Sequence, residues 1–178
     1  NYELSASGGN DKTTFRIASN YSSQEANITK ADFKRAGTRF DIQNKATDRL
    51  TIGSSVNLST FTQNNPFATS GSFLGSPAFS ASGLIPVNPI YNADGTYYGV
   101  PGQTPANLIG TLNQNIIQVN DLNSGYQRTN QMVGNVNLDY KINNWLVFKA
   151  LVGMDYRLTQ GKNVRDSRTP DGFNFKGN

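Results

Sequence analysis

The sequence predicts an all-β chain: about six long antiparallel strands forming part of a transmembrane β-barrel wall, with long extracellular loops. Three observations predict it. Polar and apolar residues alternate with period two over stretches of about ten to fifteen residues, where a globular strand averages about five or six. The connections between these stretches are alternately short and long. The composition suits a two-faced sheet: Asn, Ser, Thr and Gln supply 62 of 178 residues, aromatics 11%, and charged residues only 16%. A helical bundle would be rich in Ala, Glu, Lys and Leu instead.

Taken in order, the first strand is expected over 2–8 and the second over 13–23, where Phe15, Ile17, Ser19 and Tyr21 oppose Thr14, Arg16, Ala18 and Asn20. The third covers 34–45, with Thr38, Phe40 and Ile42 against Arg39, Asp41 and Gln43. The fourth covers 49–61, with Leu50, Ile52, Val56 and Leu58 against Thr51, Gly53, Ser55 and Asn57. The fifth, 125–141, sets Met132, Val136, Leu138 and Tyr140 against Asn135, Asn137 and Asp139. The sixth, 145–159, sets Phe148, Ala150, Val152, Met154, Tyr156 and Leu158 against Lys149, Leu151, Asp155 and Arg157.

About nine to eleven tilted residues cross the hydrocarbon of a bilayer, so these strands are long enough to span it. Their polar faces carry Arg16, Arg39, Asp41, Lys149, Asp155 and Arg157, which a dry sandwich core would not hold unpaired. A water-filled lumen would hold them, paired with one another or facing an anionic substrate, while the apolar face meets lipid. Residues 9–12, 46–48 and 142–144 make the short turns, and 24–33, 62–124 and 160–178 the long connections. Barrels of the outer membrane have this asymmetry. An internal echo lays 45–52 over 141–148: a strand ending in Lys, a polar turn, then an alternating strand. A soluble β-sandwich with one solvated face is the alternative architecture.

The segment 62–124 differs in kind. It holds six of the seven prolines, and a connection this long is functional or disordered. The spacing of Leu108, Ile109, Leu112 and Ile116 suits one short helix within 107–119. Its aromatics Phe67, Phe73, Phe79, Tyr91, Tyr97 and Tyr98 are the candidates for contact with a substrate, by stacking on sugar faces or packing on peptide groups. They also suit packing of the loop onto itself.

Several function classes are excluded. The chain has no Cys and no His, hence no disulfide, no thiolate nucleophile, no Ser-His-Asp triad and no His/Cys zinc site. Absence of thiols suits a secreted or periplasm-facing protein. Asn92-Ala93-Asp94-Gly95 looks like part of a calcium loop, but no Glu follows Glu25; a tight Asp-Gly turn accounts for it better. No carboxylate pair is placed for hydrolysis. Thus no catalytic residue, metal or cofactor is expected. Basic residues never run longer than Lys34-Arg35, so no nucleic-acid surface is expected. The chain opens Asn1-Tyr2-Glu3-Leu4 without initiator Met or signal sequence, and is expected to be a piece of a longer polypeptide.

Four segments carry a family resemblance. The segment from Tyr2 to Phe15, with Ser7-Gly8-Gly9-Asn10-Asp11-Lys12-Thr13-Thr14, resembles the first strand-turn-strand of SusC/RagA-type TonB-dependent outer-membrane transporters. Asp32-Phe33-Lys34-Arg35 and Lys45-Ala46-Thr47-Asp48-Arg49-Leu50-Thr51-Ile52-Gly53 resemble the strand entry and turn that follow, and Pro89 to Gly95 part of that family's long loop. The resemblance implies a barrel of about 22 strands, with a plug domain that these residues do not contain. It implies import of oligosaccharides or peptides across the outer membrane of a Gram-negative bacterium of the Bacteroidota, driven through TonB by a region outside this chain, with a SusD-like surface lipoprotein as lid. The alternative function is a non-transporting surface β-protein, an adhesin or glycan-binding module.

Overall fold

A computed structural model describes residues 1–65, 76–99, 115–169 and 172, apart from the side chains of 78, 79 and 81. Six strands, β1 (Tyr2–Gly9), β2 (Thr13–Glu25), β3 (Asp32–Lys45), β4 (Leu50–Asn64), β5 (Ser124–Lys141) and β6 (Val147–Val164), form one sheet in the order β1-β2-β3-β4-β5-β6. Two short helices, α1 (Pro77–Gly83) and α2 (Ile116–Leu122), lie between β4 and β5. Of the helix expected within 107–119, residues 107–114 lie outside the described set, and α2 covers Ile116–Leu122.

The three short turns use one device. In each, a side-chain oxygen accepts the N–H groups two and three residues ahead. Asn10 Oδ1 accepts from Lys12 and Thr13 at 3.0 and 2.8 Å, Thr47 Oγ1 from Arg49 and Leu50 at 3.2 and 3.0 Å, and Asn143 Oδ1 from Trp145 and Leu146 at 3.1 and 2.9 Å. Asn and Ser/Thr side chains favour turns for this reason. The echo between 45–52 and 141–148 superimposes Thr47 on Asn143, so the repeated feature is the turn acceptor. The same bonds start β6 at Val147 instead of at 145, because they hold Trp145 and Leu146 in the turn. At Gly9 any Cβ would collide with the Thr13 carbonyl.

Period two then sorts the side chains. In the β1–β2 ladder Tyr2, Leu4, Ala6 and Gly8 stand opposite Tyr21, Ser19, Ile17 and Phe15, so they share a face. Ser19 bonds Thr38 at 3.1 Å, and Asn44 bonds Thr13 at 2.6 Å, which puts Phe40 and Ile42 on that face too. The opposite face is fixed by Ser55 on Asp41 (2.7 Å), Thr129 on Thr159 (2.9 Å), Gln131 on Asp155 (3.2 Å) and Lys149 with Asp139 (3.4 Å). One face thus carries most of the apolar side chains, with Ser19, Thr38 and Asn44 among them, and the other most of the amides and charges, with Val133, Val147 and Leu151 among them.

Neither face buries a core. Among the described residues the only buried hydrophobic side chains are Ala31 and Val119, whereas Val152 is 72% and Met154 53% exposed. Close packing occurs instead between neighbouring strands. Gly53 of β4 is buried because the Asn137 amide of β5 lies across it, where a Cβ would stand.

The chain forms two compact units. One comprises 1–24, 34–62 and 128–160, which hold most of each strand and the three short turns; the other comprises 25–33, 63–127 and 161–178. No helix among the described residues is long and apolar enough to cross a membrane, which leaves strands as the crossing elements if the chain crosses one.

Removing a turn acceptor strands two N–H groups. Asn143→Ala is expected to destabilise the folded barrel by about 1 kcal/mol, and Asn143→Asp to restore most of it. Urea titration of the heat-modifiable folded band on gels measures both.

Candidate functional site

Two regions carry the candidate side chains. The first is the polar face of the strand unit. Arg39 Nε donates to both carboxylate oxygens of Asp41, at 3.0 and 2.9 Å, while Ser55 Oγ donates to Asp41 Oδ1. Lys149 pairs with Asp139 across β5 and β6, and Asp155 accepts the Gln131 amide. Arg16 and Arg157 make no ion pair among the described residues. Two ion pairs, Arg39–Asp41 and Lys149–Asp139, thus hold four of the charges of this face, and Arg16 and Arg157 stand outside them. Arg35 shares the face of Arg39. The sequence reading missed it, although the two-residue period back from Arg39 through Gly37 points to it.

The second region is the loop unit, organised by α2 and a hairpin. Asn115 caps α2, accepting from the Gln118 N–H at 3.2 Å. Its amide donates to the carbonyls of Ile90 (2.6 Å) and Tyr98 (3.2 Å), which ties the hairpin to the helix. Within the hairpin Tyr91 bridges to Tyr97, and their ring centroids stand 5.4 Å apart. Gly95 takes φ +84° at the turn, a conformation that favours glycine. The Asp94 carboxylate accepts from the Thr96 N–H (2.9 Å) and hydroxyl (2.6 Å), so its oxygens close the turn. These bonds hold its pKa below the usual carboxylate value.

Asp121 is the hub of this unit. Tyr97 donates its hydroxyl to Asp121 Oδ2 at 2.9 Å, which pushes the phenol pKa up. Lys30 lies 3.6 Å from Asp121 Oδ1 and donates to the Asp121 carbonyl at 2.7 Å. Asn120 bonds Thr29 Oγ1 (2.8 Å) and Asn65 (2.9 Å), so the β2–β3 connection is pinned to α2 by polar contacts. Gln118 is buried and donates to the Arg168 carbonyl at 2.9 Å. The only sequence signals for this clasp are the Asn115 cap three residues before Gln118 and the apolar Ile116 and Val119. Nothing local points to Lys30.

Of the six aromatic candidates, Phe67 and Phe73 lie outside the described residues, as does the side chain of Phe79, which occupies α1. Tyr97 has its hydroxyl committed to Asp121, and Tyr98 is half-buried. Tyr91 is 50% exposed. The hairpin therefore presents Tyr91, with Tyr97 as its backing.

Comparison with known proteins bears on this arrangement. No family model matches the chain. It is 23% identical over 171 residues to the TonB-dependent receptor P26 of Formosa agariphila, a match covering 96% of this chain and 16% of that protein. Its fold superposes on the RagAB peptide transporter with a TM-score of 0.69 at 18% identity, covering 94% of this chain and 18% of the other. The RagAB peptide importer in its closed-closed state gives 0.68, over the same shares. The chain shares the fold of the matched stretch of those solved structures. It spans less than a fifth of the length of either relative. The SusC/RagA resemblance carried by the Tyr2–Phe15 and Lys45–Gly53 motifs thus agrees with both comparisons.

Beyond β6, Arg168 holds Asp166 by two side-chain bonds (2.9 and 2.8 Å) and a backbone bond, which lowers the Asp166 pKa to about 2. A depressed carboxyl pKa stabilises the fold above the ordinary value of 3.8, and that contribution is lost as pH falls towards 2. The protection of the 166–169 turn amides, their exchange rate relative to the intrinsic rate at each pH, should therefore hold at pH 5 and fall between pH 3.8 and 2. Arg168→Gln should move the transition up towards 3.8.

Proposed function

We propose that this chain is a stretch of wall in an outer-membrane, TonB-dependent importer of peptides or oligosaccharides. In this reading the apolar face meets lipid, the polar face lines the lumen, and the connection after β4 reaches cargo or a surface lipoprotein lid. The observation that carries it is the six-stranded sheet with two chemically opposite faces and no core between them. A sheet whose Val, Met and Phe side chains stand in the open needs an apolar solvent, and lipid is one. Likeness to a TonB-dependent receptor and to a peptide importer supports the same reading, and peptide cargo within it.

The mechanism is gated passage without covalent chemistry. The lumen wall offers hydroxyls, amides and mutually paired charges, which hydrogen-bond a polar solute without trapping it. Fixed ion pairs such as Arg39–Asp41 and Lys149–Asp139 keep that wall hydrated and nearly neutral. Tyr91 supplies an exposed ring at the loop surface, suited to stacking on a sugar or packing on a peptide plane. Coupling to TonB involves parts of the transporter beyond this chain.

Adjacent residues test the two faces. Val56 and Asn57 stand next to each other near the middle of β4 on opposite faces. Since these 178 residues contain no Cys, Val56→Cys and Asn57→Cys are clean labels in a background whose remaining cysteines, if any, are blocked. In lipid nanodiscs Asn57→Cys is expected to react with a charged maleimide and Val56→Cys only with a lipid-soluble one; equal reactivity with the charged reagent would sink the proposal. Val56→Arg should cost about 2–4 kcal/mol of barrel stability, and Asn57→Arg close to nothing.

A further inference from the structure

The arginines of β2 and β3 are not balanced as Lys149 is. Lys149 and Asp139 neutralise each other. Around Asp41, by contrast, Arg16, Arg35 and Arg39 wall a concavity of about 360 Å3 whose only carboxylates are Asp41 and Glu3. Its floor is Gly37, which separates Arg35 from Arg39 along one face and adds no side chain of its own. A Cβ there would stand 3.0 Å from Asn20 Oδ1, so the floor has no room for a larger residue without displacing Asn20.

Asp41 already accepts Arg39 Nε on both oxygens and the Ser55 hydroxyl on one. Arg39 spends only Nε on that pair, so the fork of its two terminal nitrogens is left over. Arg16 and Arg35 line the same concavity and make neither hydrogen bond nor ion pair among the described residues. Three arginines against two carboxylates line this one concavity, leaving one uncompensated positive charge. A guanidinium fork matches a carboxylate bidentately. The excess of a single charge, with Asp41 and Glu3 alongside, selects a monoanion over a phosphate dianion.

We infer that Arg16, Arg35 and Arg39 form a carboxylate-binding cleft on the wall. This rests on the reading of the polar face as lumen. The ligand is an Asp or Glu side chain, belonging either to a part of the transporter that enters the lumen or to an acidic peptide passing through it. Gly37 keeps the floor open, Arg39 is fixed by Asp41 and Ser55, and Arg16 and Arg35 are free to close on the incoming group.

The test is phenylglyoxal modification of the full-length transporter in nanodiscs, read by peptide mass at Arg16, Arg35 and Arg39, with Arg49 in a short turn as reference. The probes are acetyl-Ala-Glu-Ala-amide and its Gln counterpart. Protection in the resting protein that is released in about 1 M NaCl, where the Debye length is about 3 Å, identifies a carboxylate of the transporter itself. Protection by the Glu peptide but not the Gln peptide identifies cargo. In either case Arg35→Gln is expected to abolish the protection of Arg16 and Arg39, and in the second to weaken the Glu peptide at least about tenfold, or 1.4 kcal/mol. Reactivity equal to that of Arg49 throughout, or protection indifferent to salt and to the Glu/Gln difference, overturns the cleft. If Asn57→Cys is still labelled by the charged maleimide, the lumen assignment survives that result.

Discussion

Everything in this chain depends on strands pairing with strands, because their side chains do not pack into a core. In hydrocarbon an unpaired N–H or carbonyl costs several kcal/mol, so a spanning backbone must satisfy itself through its neighbours. The six strands do so in unbroken sequence order. With the backbone paired laterally, both faces remain available to solvents of different kinds. The apolar face of Phe15, Ile17, Phe40, Ile52, Val136 and Val152 and the polar face of Arg39, Asp41, Asn57, Asn137 and Lys149 are two consequences of one ladder.

The ladder in turn depends on register, since a slip of one residue exchanges the faces. Register here is set at the short turns, where Asn10, Thr47 and Asn143 each capture two N–H groups and fix where the next strand begins. It is held further along by pairs that match only in one alignment: Ser19 with Thr38, Asp41 with Ser55, Thr129 with Thr159. The Asn137 amide over Gly53 adds a steric key of the same sort. These contacts are polar because small hydroxyl and amide groups can bond across strands without needing a second layer to bury them.

The loop unit obeys a different rule. Among its described residues Ser76, Ser80, Gln118, Asn120 and Thr169 are buried beside Ala31 and Val119. Order there comes from directed hydrogen bonds between distant residues, and Asp121 alone gathers Tyr97 and Lys30. Such an interior specifies a shape through donor-acceptor geometry while leaving the exposed Tyr91 ring unspent. Hydrogen-bonded loops of this kind serve recognition well, because they hold an exposed ring in place with little apolar support.

The strands and their faces were legible in the sequence because period two is a local property that the backbone imposes on each residue in turn. The echo of Lys45–Ile52 in Lys141–Phe148 marked a repeated polar turn, whose acceptors Thr47 and Asn143 only the structure identified. The Asp94–Gly95 turn was legible for the same reason, since the residues that close it are adjacent. What the tertiary structure alone decided is who meets whom. Lys30 reaches Asp121 across some ninety residues, Asn115 ties Ile90 and Tyr98 to α2, and Arg16 arrives beside Arg35 and Arg39 only because β2 and β3 pair. A sequence records which face a side chain takes, but not which partner the fold sets opposite it, because that partner is fixed by pairing between strands and loops far apart along the chain.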